Sequence, residues 1–110
     1  LDSPEDVTTD PKRVFRENPV IEVFNKPSNL RILITLIDAA GAPMSVNSIS
    51  EQANVDKQTF YNNEEMLLKY GLIEEADKVG NAQRYRVNLK YEPIQALTDL
   101  YDSMIDAAPE

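Results

Sequence analysis

Two short helical patterns separated by only a tight turn are the feature that most constrains how this chain can fold. The first covers about two turns and is predicted to begin with a cap at Asn47 or Ser48. The turn falls at Asn54, and asparagine is one of the few residues besides glycine that tolerate a left-handed backbone. Asp56 then caps a second helix over about 57–70. This spacing predicts two helices that pack across each other at a steep angle.

A β-hairpin is predicted directly after the second helix. Its first strand begins at Leu72, and Gly80-Asn81 supplies the turn chemistry of a hairpin tip. Residues 82–89 alternate between two classes, which is the pattern of a half-buried antiparallel strand. Arg84 and Arg86 fall on the solvent face, and the inward positions are Gln83, Tyr85, Val87 and Leu89.

Two further helical patterns precede this region. A short one over 19–25 follows Asn18, a favoured cap, and is expected to present Val20, Val23 and Phe24 to a core. A longer one over 30–40 is apolar almost all round, which indicates a central, buried helix.

The order of elements predicts an α+β fold. A short strand at 44–46 and a final helix beginning at Pro93 complete the series. We expect a polar, flexible tail at 1–13, one folded domain at 14–91 and an added C-terminal helix at 92–110.

The composition excludes most catalytic and metal chemistry. The chain has no cysteine and no histidine, which removes disulfide frameworks, the usual zinc sites and every Ser-His or Cys-His nucleophile. The three glycines form no phosphate-binding loop. A hydrolase that uses only carboxylates is the least favoured alternative, because the acids are scattered along the predicted surface. We therefore expect no enzymatic activity, no cofactor and no metal.

The hydropathy pattern gives no sign of a membrane segment. No apolar run approaches the ~18 residues that a membrane span needs, and no basic-then-apolar signal peptide opens the chain. We expect a cytoplasmic protein with no membrane partner. Because the sequence begins at Leu1 and not at a methionine, we also expect it to be trimmed at its N-terminus.

The charge is acidic in total but segregated along the chain. The formal net charge is −8, which taken alone argues against nucleic acid as a partner. Residues 78–90 nevertheless carry four bases and no acid, and residues 92–110 carry five acids and no base. The sequence therefore predicts a basic hairpin in an acidic protein. An acidic remainder also suits an organism with a salty cytoplasm, where excess surface acid maintains solubility.

Two stretches carry a resemblance to a known family. Residues 48–61 read SISEQANVDKQTFY and residues 67–74 read LLKYGLIE. Together they make residues 28–91 resemble the winged helix-turn-helix regulators of the ArsR and MarR type, especially archaeal members. The positions that match the family pattern are Ile49, Ser50, Val55, Thr59, Phe60, Leu67, Gly71 and Leu72.

Three residues depart from the family pattern. Asn54 stands in place of a glycine in the turn. Asp56 replaces a serine; it caps the helix equally well but adds negative charge near the expected DNA. Glu64 falls where an apolar residue usually packs.

The resemblance implies a winged helix-turn-helix that binds double-stranded DNA as a homodimer and regulates transcription. The second helix of the pair would enter the major groove, which at about 12 Å wide admits one helix, and the hairpin wing would contact phosphates. The alternative is a winged helix that serves as a protein-interaction module in a transcription or replication assembly, which the net charge of −8 favours. The sequence points to no particular small-molecule effector.

Nine residues are the candidate DNA contacts. Gln58 and Asn62 have amides that can pair with adenine, Tyr61 can contact a thymine methyl, and Lys57 can anchor the backbone. That this face is merely solvated, and that the hairpin arginines serve only solubility, stay open as alternatives. The full set is Ser48, Lys57, Gln58, Thr59, Tyr61, Asn62, Lys78, Arg84 and Arg86.

The final helix carries an apolar stripe that one small domain cannot easily bury. We expect this stripe to form the dimer seam, with the alternative that it folds back onto its own core. The predicted seam residues are Ile94, Leu97, Leu100, Tyr101, Met104 and Ile105.

Overall fold

A computed structural model describes residues 18–109, and these form five helices and three strands. The tail predicted at 1–13, residues 14–17 of the predicted domain and Glu110 lie outside the described residues. In chain order the elements are α1 (Pro19–Phe24), α2 (Pro27–Asp38), β1 (Met44–Ser45), α3 (Val46–Ala53), α4 (Lys57–Lys69), β2 (Glu74–Val79), β3 (Ala82–Arg86) and α5 (Glu92–Ala107). This is the order of elements that the sequence predicts.

Helix α1 begins as its sequence predicts, with Asn18 as its cap. The Asn18 side chain accepts hydrogen bonds from the backbone N–H groups of Val20 and Ile21, at 2.9 and 3.2 Å. Val23 is buried, but Val20 is 61% exposed, so the prediction that Val20 faces the core is wrong. The reason is that Val20 lines an open groove between α1 and α5.

Helix α2 is the central helix of the domain. Ile32, Leu33 and Leu36 are fully buried, as expected of a helix that is apolar almost all round. Asn29 is also fully buried, and its Nδ2 donates to the carbonyl oxygen of Val23 at 2.7 Å. This hydrogen bond fixes α1 against the first turn of α2.

The caps and the tight turn set the angle between α3 and α4. Helix α3 is capped by Ser45, whose Oγ accepts from the Ser48 backbone N–H at 3.1 Å. The prediction of a cap at Asn47 or Ser48 is wrong, because strand β1 ends at Ser45 and α3 begins directly after it. Asn54 lies in the left-handed region (φ 58°, ψ 48°) and Asp56 caps α4 through the Thr59 N–H at 2.7 Å, both as predicted.

The three strands form one antiparallel sheet in the order β1-β3-β2. Strand β2 begins at Glu74 and not at Leu72, and β3 ends at Arg86 and not at Leu89. Leu89 is therefore 40% exposed, whereas Tyr85 and Val87 are buried as the alternation predicts.

The core lies between the helices and the inner face of the sheet. The Phe60 ring of α4 meets the Tyr85 ring of β3 edge to face, with centroids 5.0 Å apart. Helix α5 joins the core near its start, where it contacts α2. There Ile94 is fully buried and Leu97 is half-buried. Across the part of the chain that the structure describes, no helix has both the length and the apolar character needed to cross a membrane.

Candidate nucleic-acid interface

Helix α4 presents two faces of opposite character. Phe60 and Leu67 are fully buried, and Asn63 is buried with its Nδ2 donating to the Thr59 carbonyl oxygen at 2.8 Å. The other face is open to solvent in the first two turns of the helix. Its exposed residues are Lys57, Gln58, Tyr61 and Asn62, with the Tyr61 side chain 50% exposed. The structure thus brings four of the predicted DNA contacts together on one accessible surface.

The two amides on this surface are hydrogen-bonded to each other. Gln58 Nε2 donates to Asn62 Oδ1 at 2.9 Å, one helical turn further along. The Gln58 Oε1 acceptor and the Asn62 Nδ2 donors remain directed to solvent on exposed side chains. An adenine edge in the major groove offers one donor and one acceptor, so this pair carries the complementary groups.

Ser48 and Thr59 lie near the starts of the two helices. Both are half-buried, and the backbone N–H of each donates to the side chain that caps its helix. The cap of α4 is an anion, because the hydrogen bond from the Thr59 backbone lowers the pKa of Asp56. A negative charge therefore lies at the edge of the candidate surface.

The wing arginines are paired with acids of the neighbouring strand. Arg84 donates from Nε to Asp77 Oδ1 at 2.7 Å and from Nη2 to Asp77 Oδ2 at 2.6 Å. Arg86 donates from Nε to Glu74 Oε1 at 3.3 Å. The ion pair with Asp77 raises the pKa of Arg84 and lowers that of Asp77.

The prediction of a basic hairpin is therefore wrong. Residues 74–86 hold three acids and three bases, so the hairpin has no formal net charge. The count over 78–90 missed this because antiparallel pairing places β2, with Glu74 and Asp77, against β3. Of the three predicted basic wing residues, Lys78 is exposed and has no acidic partner within residues 18–109.

Glu64 has a role that its position in the sequence did not reveal. It lies where an apolar residue was expected, and its carboxylate accepts a hydrogen bond from the Tyr85 hydroxyl. Tyr85 is buried, and burial together with this carboxylate raises the pKa of the Tyr85 phenol. Glu64 therefore joins α4 to β3 and does not contribute to the exposed surface.

Sequence reasoning also missed the acids that hold the wing arginines. A register for the hairpin would have found them, because Glu74 is the cross-strand partner of Arg86. The turn at Gly80-Asn81 alone did not supply that register, since the pairing shifts between Glu75 and Lys78.

Helix α5 leaves most of its predicted stripe uncovered. Leu100, Met104 and Ile105 are 56%, 64% and 59% exposed, and Tyr101 is 38% exposed. Ile94 is the exception: it is fully buried against the core of its own domain, so the prediction that it lies in a dimer seam is wrong. Beside the stripe, an apolar groove of about 560 Å³ opens between α1 and α5.

No metal site is formed in the region that the structure covers. Within residues 18–109, no three side chains of the metal-ligating types His, Cys, Asp and Glu come together. The chemistry available on the candidate surface is hydrogen bonding, ion pairing and apolar contact.

Comparison with known proteins supports the architecture. No protein-family model matches the chain, and no curated protein matches it. An NMR structure of a homodimeric winged helix-turn-helix DNA-binding domain from Mycobacterium bovis, described as a possible ArsR-family transcriptional regulator, is 24% identical with a TM-score of 0.59. That match covers 80% of this chain and 76% of the mycobacterial chain.

A crystal structure of the same Mycobacterium bovis fragment, residues 1–100 of a possible transcriptional regulatory protein, is also similar. It is 26% identical, with a TM-score of 0.54, and the match covers 80% of this chain and 91% of that one. Both structures are of one mycobacterial protein, so the archaeal origin expected from the sequence gains no support. This chain has the α+β winged helix-turn-helix fold, with an added C-terminal helix.

Proposed function

We propose that this chain is a sequence-specific DNA-binding transcriptional regulator that acts as a homodimer and has no enzymatic activity. Helix α4 enters the major groove, and the β2–β3 hairpin is the wing that contacts phosphates. The observation that carries the proposal is the polar, exposed surface on the first two turns of α4. In helix-turn-helix proteins it is the N-terminal part of the second helix that reaches the bases.

The rigid seating of α4 supports this role. Phe60 and Leu67 fix the helix in the core, and the left-handed turn at Asn54 fixes its angle to α3. A helix held in this way presents its outer side chains in one geometry, which base reading requires. Gln58 and Asn62 carry sequence preference for A·T steps, with about 1–3 kcal/mol of discrimination for each good bidentate pair.

The remaining predicted contacts have supporting roles. Lys57 at the start of α4 contributes affinity through the DNA backbone, and Tyr61 offers a ring to a thymine methyl. Ser48, Thr59, Lys78, Arg84 and Arg86 contact sugars and phosphates on either side. The solved mycobacterial neighbour agrees with DNA as the partner, because one of its two structures is described as a DNA-binding domain and both as a possible regulator.

The C-terminal helix, 92–110, is the dimerisation element in this proposal. The stripe of Leu100, Tyr101, Met104 and Ile105 is exposed in the single chain, and α5 also borders the groove beside α1. Exposed apolar side chains at helical spacing favour burial against a second copy. The homodimeric state of one solved neighbour agrees with this arrangement.

A second candidate function is a protein-interaction module of a transcription or replication assembly. Two observations favour it: the net charge of −8 and the pairing of both wing arginines with acids. Nucleic-acid binding draws most of its affinity from basic residues on phosphates, and here both arginines of the hairpin are already paired with carboxylates.

A gel-shift assay against fragments of the source genome, at two salt concentrations, separates the two candidates. The proposal predicts a retarded complex with a subset of fragments at the lower salt, weakened but still selective at the higher salt. The absence of any complex at the lower salt contradicts it and favours the interaction module.

A further inference from the structure

The hairpin holds both of its arginines in ion pairs within the chain. Arg84 donates hydrogen bonds from Nε and Nη2 to the two carboxylate oxygens of Asp77, at 2.7 and 2.6 Å. Arg86 uses Nε to reach Glu74 at 3.3 Å. A guanidinium binds a phosphate in a bidentate way, through two N–H groups on one edge, and Arg84 uses such an edge to bind Asp77. A DNA phosphate must therefore compete with Asp77 for that edge.

The two ion pairs also determine how much affinity for DNA the hairpin contributes. A basic residue that meets a phosphate displaces condensed counterions from DNA, and this release drives binding of any sequence. When the arginine keeps an acid beside it, the charge brought to the phosphate is close to zero. Contact with a randomly placed duplex then yields little affinity.

We infer that Asp77 and Glu74 are specificity-determining residues, which hold Arg84 and Arg86 away from DNA until base contacts of α4 place phosphates against the hairpin. The inference rests on the proposed DNA-binding function and goes beyond it. Asp77 and Glu74 act through the arginines and touch neither base nor phosphate. The net effect is weak binding to non-specific DNA in a protein whose wing has three basic residues.

Both ion pairs are exposed enough for a phosphate to replace the carboxylate. The side chains of Arg84 and Asp77 are 33% and 53% exposed, and those of Arg86 and Glu74 are 45% and 39% exposed. Surface pairs with this exposure contribute little to stability, so a correctly placed phosphate can replace the carboxylate. For the same reason, removal of either acid should leave the fold intact.

The test compares Asp77→Asn and Glu74→Gln with the control Glu75→Gln. All three variants remove one negative charge from β2, but Glu75 is registered opposite Tyr85, on the other face of the hairpin from the two arginines. Binding is measured on a mixed-sequence duplex over a range of salt concentrations.

For Asp77→Asn and Glu74→Gln we expect affinity for the mixed-sequence duplex to rise about threefold to tenfold. The slope of log affinity against log salt should steepen by about one for each arginine released. Glu75→Gln should change the affinity less than Asp77→Asn does and leave the slope unchanged. Equal gains for all three variants would show that only total charge matters and would overturn the inference.

A second probe keeps the inference separate from the proposed function. Heparin is a polyanion with no base sequence, and the Arg84 Nε–H signal in NMR reports directly on its partner. We expect heparin to leave this signal unchanged in the wild type and to shift it in Asp77→Asn. An equal shift in both proteins refutes the inference. If heparin shifts the signal only in Asp77→Asn and no variant binds DNA, the result supports the inference that Asp77 keeps Arg84 from binding anions. The same result contradicts the DNA-binding function.

Discussion

A hydrogen bond between Tyr85 and Glu64 joins helix α4 to strand β3. The Tyr85 ring is 3% exposed, lies against Phe60, and its hydroxyl donates to the Glu64 carboxylate. Burial is the first cause that raises the pKa of Tyr85, and the nearby carboxylates of Glu64 and Glu75 add to it. The neutral phenol is therefore the form that the folded protein stabilises.

This shift predicts a loss of stability at alkaline pH. The unfolded chain releases the Tyr85 proton near pH 10, whereas the folded chain retains it to higher pH. The stability from this group is present in full below about pH 10 and is lost as the pH rises through the folded-state pKa. Tyr70 is expected to contribute in the same window, because its hydrogen bond to Glu22 at 2.5 Å raises its pKa as well.

The variant Tyr85→Phe tests this expectation. At neutral pH it should lower the free energy of unfolding by about 1–2 kcal/mol through loss of the hydrogen bond. Above pH 10 its stability should fall less steeply than that of the wild type. Urea unfolding at a series of pH values measures both effects. Parallel pH curves for Tyr85→Phe and the wild type would contradict the assignment.

At the scale of elements, two glycines shape the hairpin and its junction with α4. Gly71 has φ +71°, and a Cβ there would lie 3.2 Å from the ring atoms of Tyr91. Gly80 at the hairpin tip has φ +63°, and no atom lies within 4 Å of the position of its Cβ. The two sites share the left-handed backbone but differ in their surroundings.

Comparing Gly71→Ala with Gly80→Ala separates two costs of adding a Cβ. Both variants strain a left-handed backbone, but only Gly71→Ala also crowds a neighbouring side chain. Gly80→Ala should lower the free energy of unfolding by about 1–2 kcal/mol, the usual strain of a left-handed residue that is not glycine. Gly71→Ala should destabilise by more than this, because Tyr91 must also move, and Tyr91 OH donates to the Tyr70 carbonyl oxygen at 2.9 Å. Thermal unfolding of both variants measures the difference. Equal losses would mean that the contact with Tyr91 has no energetic effect.

The sequence predicts a feature of these elements correctly where the interactions that form it join residues close together in the chain. The caps at Asn18 and Asp56 and the left-handed turn at Asn54 are local, so the sequence predicts them correctly. The start of α3 was misplaced because Ser45 both ends a strand and caps a helix, which periodicity cannot distinguish.

Interactions between distant residues were not predictable from one sequence. The ion pairs of Arg84 and Arg86 depend on the register of two strands across an irregular pairing. Ile94 fits the stripe of α5 by its spacing, and only the docking of α5 on α2 shows that it belongs to the core. The candidate surface of α4 was predictable, because an amphipathic helix with a known cap defines both of its faces.

At the scale of the whole molecule, the exposed stripe of α5 predicts self-association. A truncation that ends before α5 is a poor test, because it also removes Ile94 from the core. The double variant Leu100→Glu, Met104→Glu places two charges in the stripe and leaves the core unchanged. Light scattering should give a dimer for the wild type and a monomer for this variant.

A matched control tests whether the loss of the dimer is specific to charges placed in the stripe. Gln95→Glu, Ser103→Glu adds two charges to exposed positions of α5 outside the stripe, and it should remain dimeric. If the variant at Leu100 and Met104 is still a dimer, the seam lies elsewhere on the molecule.

The molecule as a whole is acidic, so the proposed DNA binding has to come from one local surface. With a net charge of −8 and a hairpin without net charge, general electrostatic attraction is weak. The polar surface of α4 must then supply recognition through base contacts. This makes sequence preference, more than affinity, the property that distinguishes a regulator from an interaction module.

Selection of bound sites from a random DNA pool measures that preference directly. The wild type should enrich a motif that contains A·T steps, and Asn62→Ala should lose preference at the positions that Asn62 reads. Gln95→Ala, which removes an exposed amide from α5, should return the wild-type motif. An identical motif from Asn62→Ala would show that Asn62 reads no base, and the absence of any enriched motif from the wild type would contradict sequence-specific DNA binding.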